Sequence, residues 1–410
     1  MHPAPRHRDQ ARTVAARIRG ALADPGAAAA DTGPASPWGD LSLANGYPGV
    51  SLAFSGSPLG GADHARLAAA CLDRATTAAA HAPPGATGIH DGTGALAFAL
   101  LVAHRATGDH LDALDRLATR WPRPLHAATT PGLGIGADGL TGIGRHLLAR
   151  DGTATPGLRA VLAHLITLSR RTVPRHGRTV PAWWSAHDDR LHLGLAHGIA
   201  GPLALLSLAH RAGVVLDGQR DAIERLVGLL TDWAVRQGDG ILWPAHLTPD
   251  EWAAGPRHWS PAPSRPTWSD GAPGTARAVQ LAALALGRHD WHTLAHRALL
   301  PLITQDPEKW GLDSPGIRHG WSGVLHLTGL LAAHLDDGRL RLLHDEIASI
   351  LLAHHDPRSR FCYRFTAPDG RPAASPGFLD GAAGVALALD TYAGGGGPAV
   401  RGWDMALLLA

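Results

Sequence analysis

A chain of 410 residues in which 45% of side chains are hydrophobic and 18% charged can build a large core and is not a disordered polypeptide. Its formal net charge of +2 gives no electrostatic case for a nucleic-acid or anionic-membrane partner. The two cysteines, Cys71 and Cys362, supply no disulfide framework, no apolar run reaches bilayer length, and the opening MHPAPRHRDQ lacks the apolar core of a signal peptide, so a cytoplasmic protein with no membrane span is expected.

In chain order, two kinds of segment alternate. An amphipathic stretch at 9–23 precedes NGYPGVSLAF from Asn45, and another at 63–82 precedes HDGTGALAFALL from His90. A stretch at 109–121 leads to DGLTGIGRHLL from Asp138, and one at 156–171 leads, through 173–194 with Trp183 and Trp184, to HGIAGPLALLSL from His197. The stretch at 221–237 is followed by residues 238–268, carrying Trp243, Trp252, Trp259 and Trp268, and then by DGAPGTARAVQLAAL from Asp270. Residues 290–304 precede HGWSGVLHLTGLL from His319. Residues 339–355 precede 356–377, whose PDGRP reads as a hairpin turn, and the last segment is DGAAGVALALD from Asp380.

The amphipathic stretches repeat apolar residues at three and four positions, as one buried helical face requires, whereas the runs after the glycines are apolar nearly all round. This predicts an all-α fold: an (α/α) toroid of seven inner and seven outer helices, with small loop or hairpin insertions, as one domain over 1–410. Aligned on Gly49, Gly94, Gly142, Gly201, Gly274, Gly323 and Gly384, the repeats place Asn45, His90, Asp138, His197, Asp270, His319 and Asp380 four residues earlier. Short polar residues there read as helix caps, although His caps poorly. Converging on one mouth, they read as a shared polar site beside helix N-termini, which favour a developing anion. The turn glycines would allow positive φ and close backbone approach. The aromatic insertions would either grip an extended peptide or cover the edge of the ring.

Four stretches carry a resemblance: LGLAHGIAGPLALL (193–206), RPTWSDGAPG (265–274), IRHGWSGVLHL (317–327) and GFLDGAAGVAL (377–387). In wording and order they resemble the lanthionine synthetase C-like (lanthipeptide cyclase) family. The resemblance implies an α,α-toroid and a C–S bond-forming cyclase. A Cys thiol of a ribosomally made precursor peptide would add to a dehydroamino acid of the same peptide, closing a lanthionine-type thioether ring. It also implies partners: the precursor peptide, and a dehydratase with other biosynthetic enzymes.

Family members bind zinc through Cys, Cys and His. At the matching positions this sequence has Ser269, Arg318 and His319, a degenerate set, so no cofactor is expected. A rebuilt zinc site would use His197, Asp270 and His319. His197 matches the family's active-site His and Arg265 an Arg before the first ligand, while Ile135 stands where the family has an Asp, three residues before Asp138. Without zinc, Arg318 would lower the thiol pKa, His319 or Asp270 would accept its proton, His197 would protonate the enolate carbon, and Arg265 would hold the enolate oxygen. Two other readings stay open: an inactive cyclase-like protein that binds a precursor peptide or partner enzymes, and a carbohydrate-active α,α-toroid using Asp138, Asp270 and Asp380.

Overall fold

All seven glycine turns open a buried helix. The computed structural model describes residues 4–32, 37–83, 87–118, 134–260, 265–366 and 370–410. The inner helices are Tyr47–Ser55, Thr93–Thr107, Leu140–Asp151, Ala200–Arg211, Ala272–Leu286, Trp321–Ala332 and Ala382–Ala393. Each begins one or two residues before its aligned glycine. Every residue of Tyr47–Ser55 is buried, and in Trp321–Ala332 burial runs unbroken from Trp321 to Leu331. A helix of Ala, Gly and Leu with no polar stripe has no face to offer water, so sequence and burial agree.

The amphipathic stretches form outer helices Ala4–Leu22, Ala62–Ala79, Leu111–Ala118, Pro156–Arg170, Gln219–Asp232 and Gly338–Ala353. The sixth stretch, read as one helix over 290–304, is two: His289–Arg297 and Leu300–Thr304. Pro301 has no N–H to donate and its ring crowds the preceding turn, so the chain restarts there. Residues 119–121 of the third stretch lie outside the described residues.

The chain divides into two compact units. The first, Met1–Arg123 with Leu312–Ala406 and Ala410, holds the first, second, sixth and seventh inner helices. There the outer helix Ala4–Leu22 packs on the last inner helix, Ala382–Ala393. Arg19 Nη1 meets Asp390 Oδ2 at 2.6 Å, and Ser57 Oγ donates to the same oxygen at 2.7 Å. The second unit, Pro124–Gly311 with Leu407–Leu409, holds the third, fourth and fifth inner helices.

The insertions are more ordered than their sequence suggests. Strands 172–175 and 178–181 form a hairpin, closed by His176 and Gly177 at positive φ (47° and 72°), as a tight two-residue turn requires. A second hairpin pairs 235–237 with 240–242, and Leu191–His192 pairs with His246–Leu247. The expected hairpin around PDGRP has its flanking strands, 365–366 with 372–373, while residues 367–369 lie outside the described residues. Three of the tryptophans pack on one another. Trp252 stacks on Trp233 at 5.9 Å and meets Trp184 edge-on at 6.2 Å, and Trp243 Nε1 donates to Leu230 O. This packing is what a cover over the helices requires.

Candidate active site

The polar residues before the glycines do not cap the inner helices. The N-cap is Gly46, Gly92, Gly139, Ile199, Gly271, Gly320 or Gly381, and none makes a side-chain cap bond. Nor is positive φ the reason for most of these glycines, since among these caps only Gly92, at 116°, adopts it. The reason is space. A Cβ on Gly320 would overlap Ser314 O, one on Gly323 would overlap Ile317 O, and one on Gly384 would overlap Phe378 O. Each turn folds back onto its own helix start so tightly that only hydrogen fits.

Within each unit, neighbouring turns are joined by backbone hydrogen bonds beside the polar positions. In the second unit Ala137 N donates to Ala196 O (2.7 Å) and Ala196 N to Ser269 O (3.0 Å). In the first, Leu43 N donates to His90 O (2.8 Å), Phe378 N to Leu43 O (2.8 Å), and Arg318 N to Leu379 O (2.9 Å). A second set of glycines, absent from the sequence reading, makes this approach feasible. A Cβ on Gly194 would sit 2.7 Å from Asp270 Cα, one on Gly377 2.7 Å from Asn45 Cα, and one on Gly316 3.4 Å from Asp380 Cα. Their signal was visible as a glycine six or seven residues before several of the aligned ones.

The ladder puts the polar residues in equivalent places, but their surroundings differ. Asn45 is buried and its Oδ1 accepts from Gly377 N at 3.1 Å. His90 is buried, with Nε2 bonded to Ala406 O at 2.9 Å. These two serve the scaffold. Asp138, Asp270 and Asp380 are half-buried, and His197 and His319 are exposed, as Arg265 is. The accessible imidazoles are therefore those at the family-matching positions. His197, Arg265, Ser269 and Asp270 belong to the second unit, and Arg318, His319 and Asp380 to the first.

Two contacts define the chemistry where this chain departs from the zinc pattern. Ser269 Oγ donates to Asp270 Oδ2 at 2.9 Å. Arg318 Nε lies 3.0 Å from Asp380 Oδ1. Sequence reasoning singled out Arg318 but missed its partner, because Asp380 comes from the next turn. Cys71 is buried in the outer helix Ala62–Ala79, where burial pushes its thiol up to about 12, away from a ligand thiolate. Cys362 is also buried and its thiol is raised by burial. At the family's ligand positions, a hydroxyl already donating to a carboxylate and an ion-paired guanidinium do not form a zinc donor set. No group of three His, Cys, Asp or Glu suited to a metal occurs among the described residues.

Comparison with known proteins extends this picture. The family model described as "Lanthionine synthetase C-like protein" matches residues 37–408. Nisin biosynthesis protein NisC of Lactococcus lactis subsp. lactis is 27% identical over 140 residues, which is 34% of this chain and 33% of that protein, so the match spans about a third of that relative. A solved structure titled "Nisin cyclase" superposes with a TM-score of 0.73 at 18% identity, covering 98% of this chain and 97% of its own. That likeness shows the fold, the all-α (α/α)-toroid class that the repeats predict. Among the described residues, no helix is long and apolar enough to cross a membrane.

Proposed function

Because the chain belongs to the lanthionine synthetase C-like family, we propose that it closes thioether rings in a precursor peptide, without zinc. The observation that carries the reading is the family match over 37–408 together with His197, Arg265 and His319 standing at the matching motif positions. The reaction is an addition. A cysteine S–H loses its proton, sulfur bonds to Cβ of a dehydroamino acid, the electron pair moves to the carbonyl oxygen, and Cα takes up a proton.

Each step has a residue of suitable chemistry. Asp270, held as an acceptor by Ser269, or His319 takes the thiol proton. Arg318 supplies positive charge that favours the thiolate, and Asp380 fixes its guanidinium while moderating that charge. Arg265 stabilises the enolate oxygen, and His197, exposed on its turn, delivers the proton to Cα. A dehydratase must make the dehydroamino acid beforehand, so the substrate is an already dehydrated peptide.

One observation favours a second reading. Ser269 is hydrogen-bonded to Asp270 and Arg318 is ion-paired with Asp380, as in a cyclase-like protein that binds precursor peptides without reacting. Incubating the full chain with a dehydrated precursor separates the two. Free thiol should disappear faster than in a protein-free blank, and His197→Ala should slow the reaction by about a hundredfold or more, the usual loss for a general acid. Thiol loss at the blank rate with retained peptide binding selects the second reading.

A further inference from the structure

Well away from the turns, at the C-terminal ends of the sixth and seventh inner helices, the first unit contains a cavity of about 260 Å³. Its wall comes from Gly329, Ala332 and Ala333, from the outer helix Gly338–Ala353, from Arg8 of the first helix, and from Gly395 to Gly397. Three observations point to an anion. Arg8 and Arg341 both line the cavity, and among the described residues neither has an ion-pair or hydrogen-bond partner; Arg8 Nε is buried without one. His344, 9% exposed, lines the same space with no hydrogen bond among the described residues to either ring nitrogen. The loop Gly395–Gly397 runs at positive φ throughout (109°, 82° and 87°) and presents backbone without side chains. The amides of Gly395 and Gly396 are used within the helix terminus, on Tyr392 O and Thr391 O, whereas that of Gly397 has no partner among the described residues.

Among the described lining residues the single opposing charge is Asp345, which accepts from Tyr392 Oη at 2.8 Å. Two guanidiniums against one carboxylate leave a positive balance. A buried imidazole and a spare amide add donors from separate elements. Four donor groups from three elements of the chain suit a phosphate, whose oxygens guanidinium pairs well. We propose that this cavity binds a phosphate group, as the free ion or as the ester of a small molecule. The site is separate from the ring-closing residues, and its test stands apart from theirs.

The full chain is titrated with inorganic phosphate, with glycerol 2-phosphate and with chloride at matched ionic strength, following melting temperature and heat of binding. Phosphate should give saturable binding that raises the melting temperature, and chloride should not. Arg8→Gln with Arg341→Gln should weaken phosphate binding at least tenfold. If that double variant does not fold, Arg341→Gln alone, on the exposed side of its helix, should weaken binding severalfold. Binding of both phosphates identifies a phosphate group carried on a small molecule, and binding of the inorganic ion alone identifies the free anion. An equal effect of chloride, or unchanged phosphate binding in the arginine variants, overturns the proposal.

Discussion

At the scale of single residues, the pairing of Arg318 with Asp380 makes the cyclase reading quantitative. Arg318 occupies a position that carries a zinc ligand elsewhere in the family, and it can only bias a nearby thiol electrostatically. Asp380, 3.0 Å from Nε, opposes that bias. The two substitutions should therefore act in opposite directions. Arg318→Gln removes the cation and should move the rising limb of the pH–rate profile for ring closure to higher pH, by up to about one unit. Asp380→Asn removes the opposing charge and should move it to lower pH. A profile unmoved by both would show that neither charge reaches the reacting thiol. A second residue-scale prediction concerns the buried Arg19–Asp390 pair, with side chains 6% and 1% exposed. Asp390→Ala would leave Arg19 buried beside Ser57 without its counter-charge. Loss of roughly 3–5 kcal/mol of stability is expected, read from denaturant midpoints.

At the scale of elements, the turns are specified by contacts between repeats as much as within them. Gly194 belongs to the turn before the fourth inner helix, yet a Cβ there would meet Ser269 O and Asp270 Cα of the fifth. Gly194→Ala must push those turns apart, stretching the bond from Ala196 N to Ser269 O. The expected result is destabilisation of about 1–3 kcal/mol together with a fall in ring-closure rate larger than unfolding explains, measured on protein kept at a temperature where it is fully folded. This element also shows what the sequence makes legible. Helix identity was readable because burial writes itself into periodicity: an all-apolar run such as GVALAL (384–389) must be inside, and a three–four pattern must lie half outside. The seven polar positions were readable from one alignment. Their differing fates were not, because Asn45 and His90 are drawn inward by Gly377 and Ala406, residues more than three hundred positions away. The Arg318–Asp380 pair was hidden for the same reason: it depends on which turn stands beside which.

At the scale of the whole molecule, the residues from 403 onward supply hydrogen-bond partners to buried groups within each unit. In the first unit, Asp404 takes a hydrogen bond from Ala399 N and meets His326 Nε2 at 3.0 Å, with Trp403 against the same imidazole at 4.4 Å. In the second, Leu407 O accepts from Trp268 Nε1 and Leu409 O from Arg277 Nε, both at 2.9 Å. Removing residues 403–410 would leave these donors buried without acceptors, so the truncated chain should fail to reach a cooperative fold, as judged by loss of a sharp thermal transition. Histidine, abundant at 26 residues, sets a second global property. Burial lowers the pKa of His64, His110, His164, His246, His354 and His355, and lowers that of His344 to about 4. A depressed histidine costs nothing above the unfolded value of 6.5, where both states are neutral. Below it the unfolded chain takes up a proton that the native state refuses, so stability falls with pH until the folded pKa is passed. For His344 alone the loss by pH 5 is about 2 kcal/mol, from the linkage between its two pKa values. Stability measured by denaturant should therefore drop steeply between pH 7 and 5, and His344→Leu should remove about that share of the drop. A His344→Leu protein whose stability falls as steeply as that of the parent would mean that His344 is not held neutral in the folded chain.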